Sequence, residues 1–287
     1  MPDPIYTAEN CEPAYQLNWS VSLFGRAPLS TLAIWDPPLR EVAEGDGVRI
    51  LEATVRSAAI VQFLVSTRPS AAPAHILRCL KGRLQYLIRD SHPAAFKRNY
   101  RIESVGSAKA DVIERYIAGQ LPRQGMADPR AQELLARFQI DEPSVELERV
   151  RYTSYGQFIY NLHLVMVRES AMALDHDCLK ANRDMIVKVA AKKDFILRRG
   201  AILNDHIHLA LGCGIEQPPE EGALSYLNNL AFANGMTPCF RFGFYVGTFG
   251  SYDLGAVRQG LAESHSSAGT SPTGSETSEQ RGDAARL

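Results

Sequence analysis

Asn204-Asp205-His206-Ile207-His208-Leu209 lies between the apolar pairs Ile202-Leu203 and Ala210-Leu211. Side chains on a strand alternate between faces, so His206 and His208 project to one side while Ile207 enters the core. The apolar flanks are those of a central strand, and the stretch predicts a sheet interior. Two imidazoles at i and i+2 are a ready pair of ligands for a divalent cation, with Asp205 placed to orient one of them from behind. A His-x-His pair by itself is more often structural, so the chemistry needs support from elsewhere in the chain.

Outward from this strand, the chain reads as two halves of similar order. The second half runs as a strand over Phe158–Val167, a helix from about Cys178 to Ala191, strands over Phe195–Leu203 and His206–Leu211, a helix over Glu221–Ala233 and a strand over Arg241–Phe249, with a weak helix after Gly250. The first half has a strand over Tyr15–Leu23, a short helix near Leu39–Glu44, strands over Val48–Val55 and Ile60–Ser66, a helix over Ala74–Ile88, a strand over Tyr100–Val105 and a helix over Lys109–Gly119. A β-α-β-β-α-β order in each half predicts an α+β protein of two tandem ferredoxin-like halves forming an internal pseudo-dimer. Residues 1–127 are read as the first half, 128–150 as a linker and 151–261 as the second half. Asp128-Pro129 and Glu142-Pro143 punctuate the linker, since the residue before a proline disfavours helix. Residues 262–287, rich in Ser, Thr, Gly, Glu and Ala without apolar periodicity, are expected to be a disordered tail.

Composition excludes several classes. A chain of 287 residues with 45% hydrophobic and 22% charged residues is ordinary for a soluble globular protein. No apolar run approaches the ~20 residues of a membrane-spanning helix, and Met1-Pro2-Asp3-Pro4 does not look like a secretory signal. A cytoplasmic, nucleoid-associated protein with no membrane partner is the expectation. The five cysteines, Cys11, Cys79, Cys178, Cys213 and Cys239, are scattered and suggest neither a disulfide framework nor a zinc site. A net charge of −1 does not advertise nucleic-acid binding. Its distribution does: Arg78, Lys81, Arg83, Arg89, Lys97, Arg98 and Arg101 stand against the single acid Asp90 between Ile76 and Arg101. Lys81, Arg83, Lys97, Arg98 and Arg101 are candidate phosphate contacts on a basic helix, and Phe96, Tyr100 and Tyr86 candidate stacking rings.

The first half holds a second signal in Asp111-Val112-Ile113-Glu114-Arg115-Tyr116-Ile117-Ala118-Gly119-Gln120. At helical spacing Tyr116 and Gln120 share a face. Read alone, this is an ordinary boundary tyrosine. Taken with the Asp-His-Ile-His strand, the Leu80-Lys81-Gly82-Arg83 helix and Ser104-Val105-Gly106, it resembles the single-tyrosine HUH transposases, among them the insertion-sequence and REP-associated enzymes. In that family two histidines and a glutamine hold Mg²⁺ or Mn²⁺, and a helix-borne tyrosine attacks single-stranded DNA beside a hairpin. The resemblance therefore implies His206, His208 and Gln120 as metal ligands, Tyr116 as nucleophile and Asp205 behind the ligands. It also implies cleavage and rejoining through a 5′-phosphotyrosine, with a second copy of the chain as partner where two ends must be cut.

The order departs from the family's. There the His-x-His strand precedes the tyrosine helix, whereas here it follows by about ninety positions, in the other half. Aligning Val55–Val61 with Ile202–His208 sets Ala59 and Val61 opposite the histidines. Aligning Val105-Gly106 with Phe249-Gly250 sets Gly260 and Ser264 opposite Tyr116 and Gln120. Each half lacks what the other keeps, as in a fused dimer with one surviving site. Two readings compete: a domesticated relative that binds DNA hairpins without cutting, and a ferredoxin-like RNA-binding or regulatory module whose histidines are structural.

Overall fold

The computed structural model describes residues 3–26, 28, 32–125, 128–170 and 175–268. In chain order the elements are β1 (Glu12–Gln16), β2 (Asn18–Gly25), α1 (Leu32–Gly45), β3 (Val48–Ser57), β4 (Ile60–Thr67), α2 (Pro73–Ile88), β5 (Phe96–Val105), α3 (Ala110–Ala118) and α4 (Gln120–Arg123). Then come α5 (Pro129–Ala136), β6 (Ile140–Asp141), β7 (Arg151–Tyr152), β8 (Gly156–Ile159), β9 (Asn161–Val167) and α6 (His176–Lys193). The chain ends with β10 (Ile196–Ile202), β11 (His206–Gly212), α7 (Pro219–Ala233), β12 (Gly243–Phe249) and α8 (Leu254–Ala268). It is a mixed α+β protein with two six-stranded sheets.

One sheet runs β3-β4-β2-β5-β8-β7 and the other β1-β12-β9-β11-β10-β6. Within the four-strand cores the neighbours correspond: β3-β4-β2-β5 in one and β10-β11-β9-β12 in the other. The halves also exchange edges. β1, from the start of the chain, pairs parallel with β12, and β8 pairs parallel with β5. The single strand expected over Tyr15–Leu23 is thus broken at Leu17, and the one over Phe158–Val167 at Tyr160, because each serves two sheets. Leu17 and Tyr160 are buried, and the Tyr160 ring meets Trp19 edge-on at 5.0 Å. Buried residues of both halves form one connected core, from Trp19 and Phe63 through Leu164 and Ile207 to Leu230.

The crossing between the sheets is nearly symmetric. Ser104 Oγ donates to the Phe249 carbonyl at 2.6 Å and accepts from the Asn161 amide at 3.0 Å. Its counterpart Thr248 Oγ1 donates to the Val105 carbonyl at 2.6 Å and accepts from the Asn18 amide at 2.8 Å. Backbones approach so closely here that a Cβ on Gly106 would sit inside the Thr248 carbonyl oxygen, and one on Gly250 inside that of Ser104. The chain then crosses over: Ala110 N donates to Gly250 O, and Leu254 N to Gly106 O. Ala110 therefore corresponds to Leu254, and Tyr116 to Gly260. As a result α3 packs on β10 and β11 of the opposite sheet, while α8 packs on β3.

Several boundaries differ from the sequence expectation. Asn18 pairs with Ser66 and Asn161 with Gly212, which sets Gln62 opposite His208 and Ile60 opposite His206. The expected partners, Val61 and Ala59, are one residue out of register. The cause is an irregularity between Val55 and Ser57, where Arg56 is an extra residue with no equivalent in β10. A bulge inserts one residue into one strand only, so an ungapped alignment slips beyond it. The expected linker is partly built into the fold, since β6 adds an edge strand to β10. The short helix near Leu39–Glu44 extends back to Leu32, with Pro37 and Pro38 inside it. Helix α8 continues to Ala268, seven residues into the expected tail, the rest of which lies outside the described residues.

Candidate active site

The face of the second sheet beneath α3 carries the histidines. Cross-strand pairs set His206 opposite Val167, His208 opposite Val165, and Tyr245 on the far side of Val165. His163, two residues from Val165 on β9, shares that face and lies diagonal to His208. Its Nε2 is 3.0 Å from His208 Nδ1, and the two rings stack at 5.2 Å between centroids. The His206 ring sits 4.8 Å from that of His208, and its Nδ1–H donates to Asp205 Oδ1 at 2.7 Å. Burial, then the nearby His163 and His206, lowers the His208 pKa to about 3. Burial lowers that of His163 to about 4. Both imidazoles are therefore neutral near pH 7.

Helix α3 brings Tyr116 onto these rings. It has a strongly apolar underside: Ala110 and Ile117 are buried with Ala201, Ala210 and Phe249. Glu114 ties it to β10 through Arg198 at 3.1 Å. The Tyr116 ring stands edge-on to His208 at 5.6 Å and to His163 at 5.9 Å, and the side chain is 40% exposed. Arg123 lies over the other side of the phenol, 5.7 Å from its centroid. Tyr245 is close enough for a Tyr116 phenolate to raise its pKa, after the larger effect of burial.

Gln120 is not joined to the histidines. α3 stops at Ala118, and the Gln120 amide Nε2 turns back to the Tyr116 carbonyl at 3.1 Å. Gln124, one turn further on, reaches the site's border instead. Its Nε2 donates at 2.7 Å to both Asn204 Oδ1 and Asp205 Oδ1, while its buried Oε1 has no hydrogen-bond partner. Sequence reasoning missed Gln124, Arg123, Tyr245 and His163. His163 in Asn161-Leu162-His163-Leu164 reads as a lone core histidine, and only the β9–β11 register gives it meaning.

A divalent cation, implied by the resemblance, has donors that suit it here. Asp205 and His163 engage the Nδ1 atoms of His206 and His208, which leaves Nε2 as the atom through which each ring would bind, and two imidazoles at adjoining positions suit a first-row divalent ion. Among the described residues no three His, Cys, Asp or Glu side chains converge as a complete cation site. The remaining positions would fall to an amide, water or a phosphate oxygen.

The basic residues do not lie on one helix. Lys81 and Arg83 are on α2, whereas Lys97, Arg98 and Arg101 are on β5. Four have partners within the chain: Lys81 donates to the Lys97 and Arg98 carbonyls, Arg83 pairs with Asp46, Arg98 donates to Tyr155 Oη at 3.3 Å, and Arg101 pairs with Glu103. Burial, then Arg26, lowers the Lys81 pKa, whereas the hydrogen bond from Arg83 lowers that of Asp46. Lys97, Arg101 and Tyr100 line a groove of about 500 Å³ with Tyr152 and Tyr155 from the β7–β8 turn. Tyr152 and Tyr155 are exposed, and the Arg98 guanidinium lies over the Tyr155 ring. Of the expected stacking rings, Phe96 is buried, Tyr100 is half-buried and bonded to Thr153, and Tyr86 is exposed beneath Arg89. Among the described residues no helix is long and apolar enough to cross a membrane.

Comparison with known proteins bears on the half that carries Tyr116. Residues 37–120 match the family model described as "Transposase IS200 like". Over this segment, less than a third of the chain, the sequence is similar to the IS200-like transposases. The match ends on Gln120 and does not include the histidine strand. Solved structures resembling the chain include a Deinococcus radiodurans R1 protein provisionally assigned as a transposase, 18% identical, covering 37% of this chain and 92% of that one at a TM-score of 0.29. Another is a REP-associated tyrosine transposase bound to a REP hairpin, 14% identical, covering 39% of this chain and 67% of that one, also at 0.29. No curated protein matches the chain by sequence.

Proposed function

We propose that the protein is a metal-dependent endonuclease and strand transferase acting on single-stranded DNA beside a hairpin, its one site built from two ferredoxin-like halves of a fused dimer. The observation that carries this reading is the contact of the Tyr116 ring with the His208 and His163 rings inside one chain. The site couples a tyrosine from the transposase-related segment to histidines ninety residues away. A purely structural histidine pair gives no reason for an exposed phenol to be held over it.

In this mechanism Tyr116 Oη attacks a phosphodiester phosphorus, the phosphorus–O3′ bond breaks, and the phenol proton passes to solvent. The products are a 5′-phosphotyrosine and a free 3′-OH. The bond energy is kept in the ester, so a 3′-OH can later attack it, release Tyr116 and rejoin DNA. His206 and His208, and by family resemblance Gln120, would hold Mg²⁺ or Mn²⁺. Once bound, such an ion polarises a non-bridging phosphate oxygen. Asp205 orients His206, and Gln124 orients Asp205. Arg123, over the Tyr116 ring, favours the charge gathering on the phosphate.

DNA would lie along the β5 surface. Lys97, Arg98 and Arg101 contact phosphates there, and exposed Tyr152 and Tyr155 stack unpaired bases. The test is incubation with hairpin DNA carrying a single-stranded flank and Mn²⁺, followed by a denaturing gel. A covalent band that disappears in Tyr116→Phe is the expected result. Binding with no adduct would favour the non-cleaving hairpin binder, and loss of DNA binding altogether the RNA-binding or regulatory reading.

A further inference from the structure

We infer that His163 is a positioning residue that fixes the tautomer of His208. The reading of His208 as a metal ligand gives the inference its consequence, but the hydrogen-bonding claim stands apart from it. The His163 Nε2 to His208 Nδ1 distance of 3.0 Å is a hydrogen bond, so one of the two nitrogens carries the proton and the other accepts it. If His163 donates, His208 keeps its proton on Nε2 and presents no lone pair to the site. If His208 Nδ1–H donates, its Nε2 is a free donor atom. The surroundings of His163 hold this pairing in place. Both rings are buried, stack at an interplanar angle of 14°, and are held between the edges of Tyr116 and Tyr245. Neither imidazole can turn away without losing these contacts.

The other half supplies an independent argument. There Ser20 occupies the position of His163 and Gln62 that of His208, and Gln62 Nε2 donates to Ser20 Oγ at 2.8 Å. The β4/β11 residue thus donates to the β2/β9 residue in the half that has no histidine at either position. The same direction at the surviving site makes His208 the donor and His163 the acceptor. His206 has its Nδ1–H tied to a carboxylate, so both histidines would present Nε2 together.

The experiment reads imidazole ¹⁵N shifts of metal-free, DNA-free protein, in wild type, His163→Phe and His163→Gln. Phenylalanine keeps the ring and removes the acceptor, whereas glutamine restores an acceptor oxygen. Wild-type His208 is expected as the Nδ1–H tautomer, to become a mixture in His163→Phe and to return in His163→Gln. In parallel, Mn²⁺ binding should weaken about ten- to a hundredfold in His163→Phe and recover in His163→Gln. An Nε2–H tautomer in wild-type His208, or an unchanged tautomer and Mn²⁺ affinity in His163→Phe, would overturn the inference. Should His163→Phe not fold, the wild-type tautomer and the glutamine variant still decide it. A wild type that makes no DNA adduct yet shows the expected tautomer would count against the proposed function and leave this inference standing.

Discussion

At the scale of single residues, the site depends on which nitrogen and which oxygen each side chain offers. His208→Ala or His206→Ala should abolish adduct formation while leaving hairpin affinity within about twofold, since the cations on β5 and α2 lie elsewhere. Gln120→Ala should be mild, because its amide bonds its own helix and water can replace it on a cation. A gel of covalent adduct beside a filter-binding titration separates these effects. The buried histidines also make a pH prediction for metal-free protein. Their folded pKa values, about 4 for His163 and about 3 for His208, lie below the unfolded value of ~6.5. The unfolded chain therefore binds protons first as pH falls, and stability is lost on going below ~6.5. Between pH 6.5 and 5 the loss is about 2 kcal/mol for each histidine. Urea midpoints should show this slope, and His208→Leu should flatten it.

At the scale of elements, much was legible and the exceptions have physical causes. The alternation around Ile207 gave the central strand, and the Tyr116 helix began within a residue of its expected start. The strands at Leu17 and Tyr160 were not seen to break, because a strand shared by two sheets is as apolar as one that stays in a single sheet. The slip of the Ala59 and Val61 alignment came from Arg56, whose bulge leaves no mark in hydrophobic patterning. The basic stretch read as one helix splits after Ile88, so its cations lie on two elements. Tyr152 and Tyr155 could not be tied to that stretch from sequence, because β8 reaches β5 only through the edge exchange. These placements separate two kinds of DNA contact. Arg98→Ala should lower the salt slope of binding by about 0.7–0.9, as for one lost phosphate contact. Tyr155→Ala should cost about 1–3 kcal/mol, as for one lost stacking platform, with the slope unchanged. Binding isotherms at several salt concentrations check both.

At the scale of the whole molecule, the two sheets exchange a helix each. The helices α3 and α8 leave their own halves at Gly106 and Gly250, where no side chain fits between the crossing backbones. Gly106→Ala or Gly250→Ala should each cost about 2 kcal/mol or more, by overpacking against backbone that cannot move aside. Gly82→Ala, in α2 with open space around it, should be neutral or stabilising by up to about 1 kcal/mol. Urea unfolding of the three variants gives the contrast. The crossing also sets the stoichiometry, because the other helix has Gly260 where α3 has Tyr116 and is tied down by Arg56 and by an Arg258–Glu52 ion pair. The most direct test of a single site made within one chain is to mix Tyr116→Phe protein with His206→Ala protein. The mixture is then assayed for covalent adduct on hairpin DNA with Mn²⁺. Each variant alone should be inactive, and the mixture should remain so. Adduct restored by mixing would mean that tyrosine and histidines come from different chains, and would contradict the account.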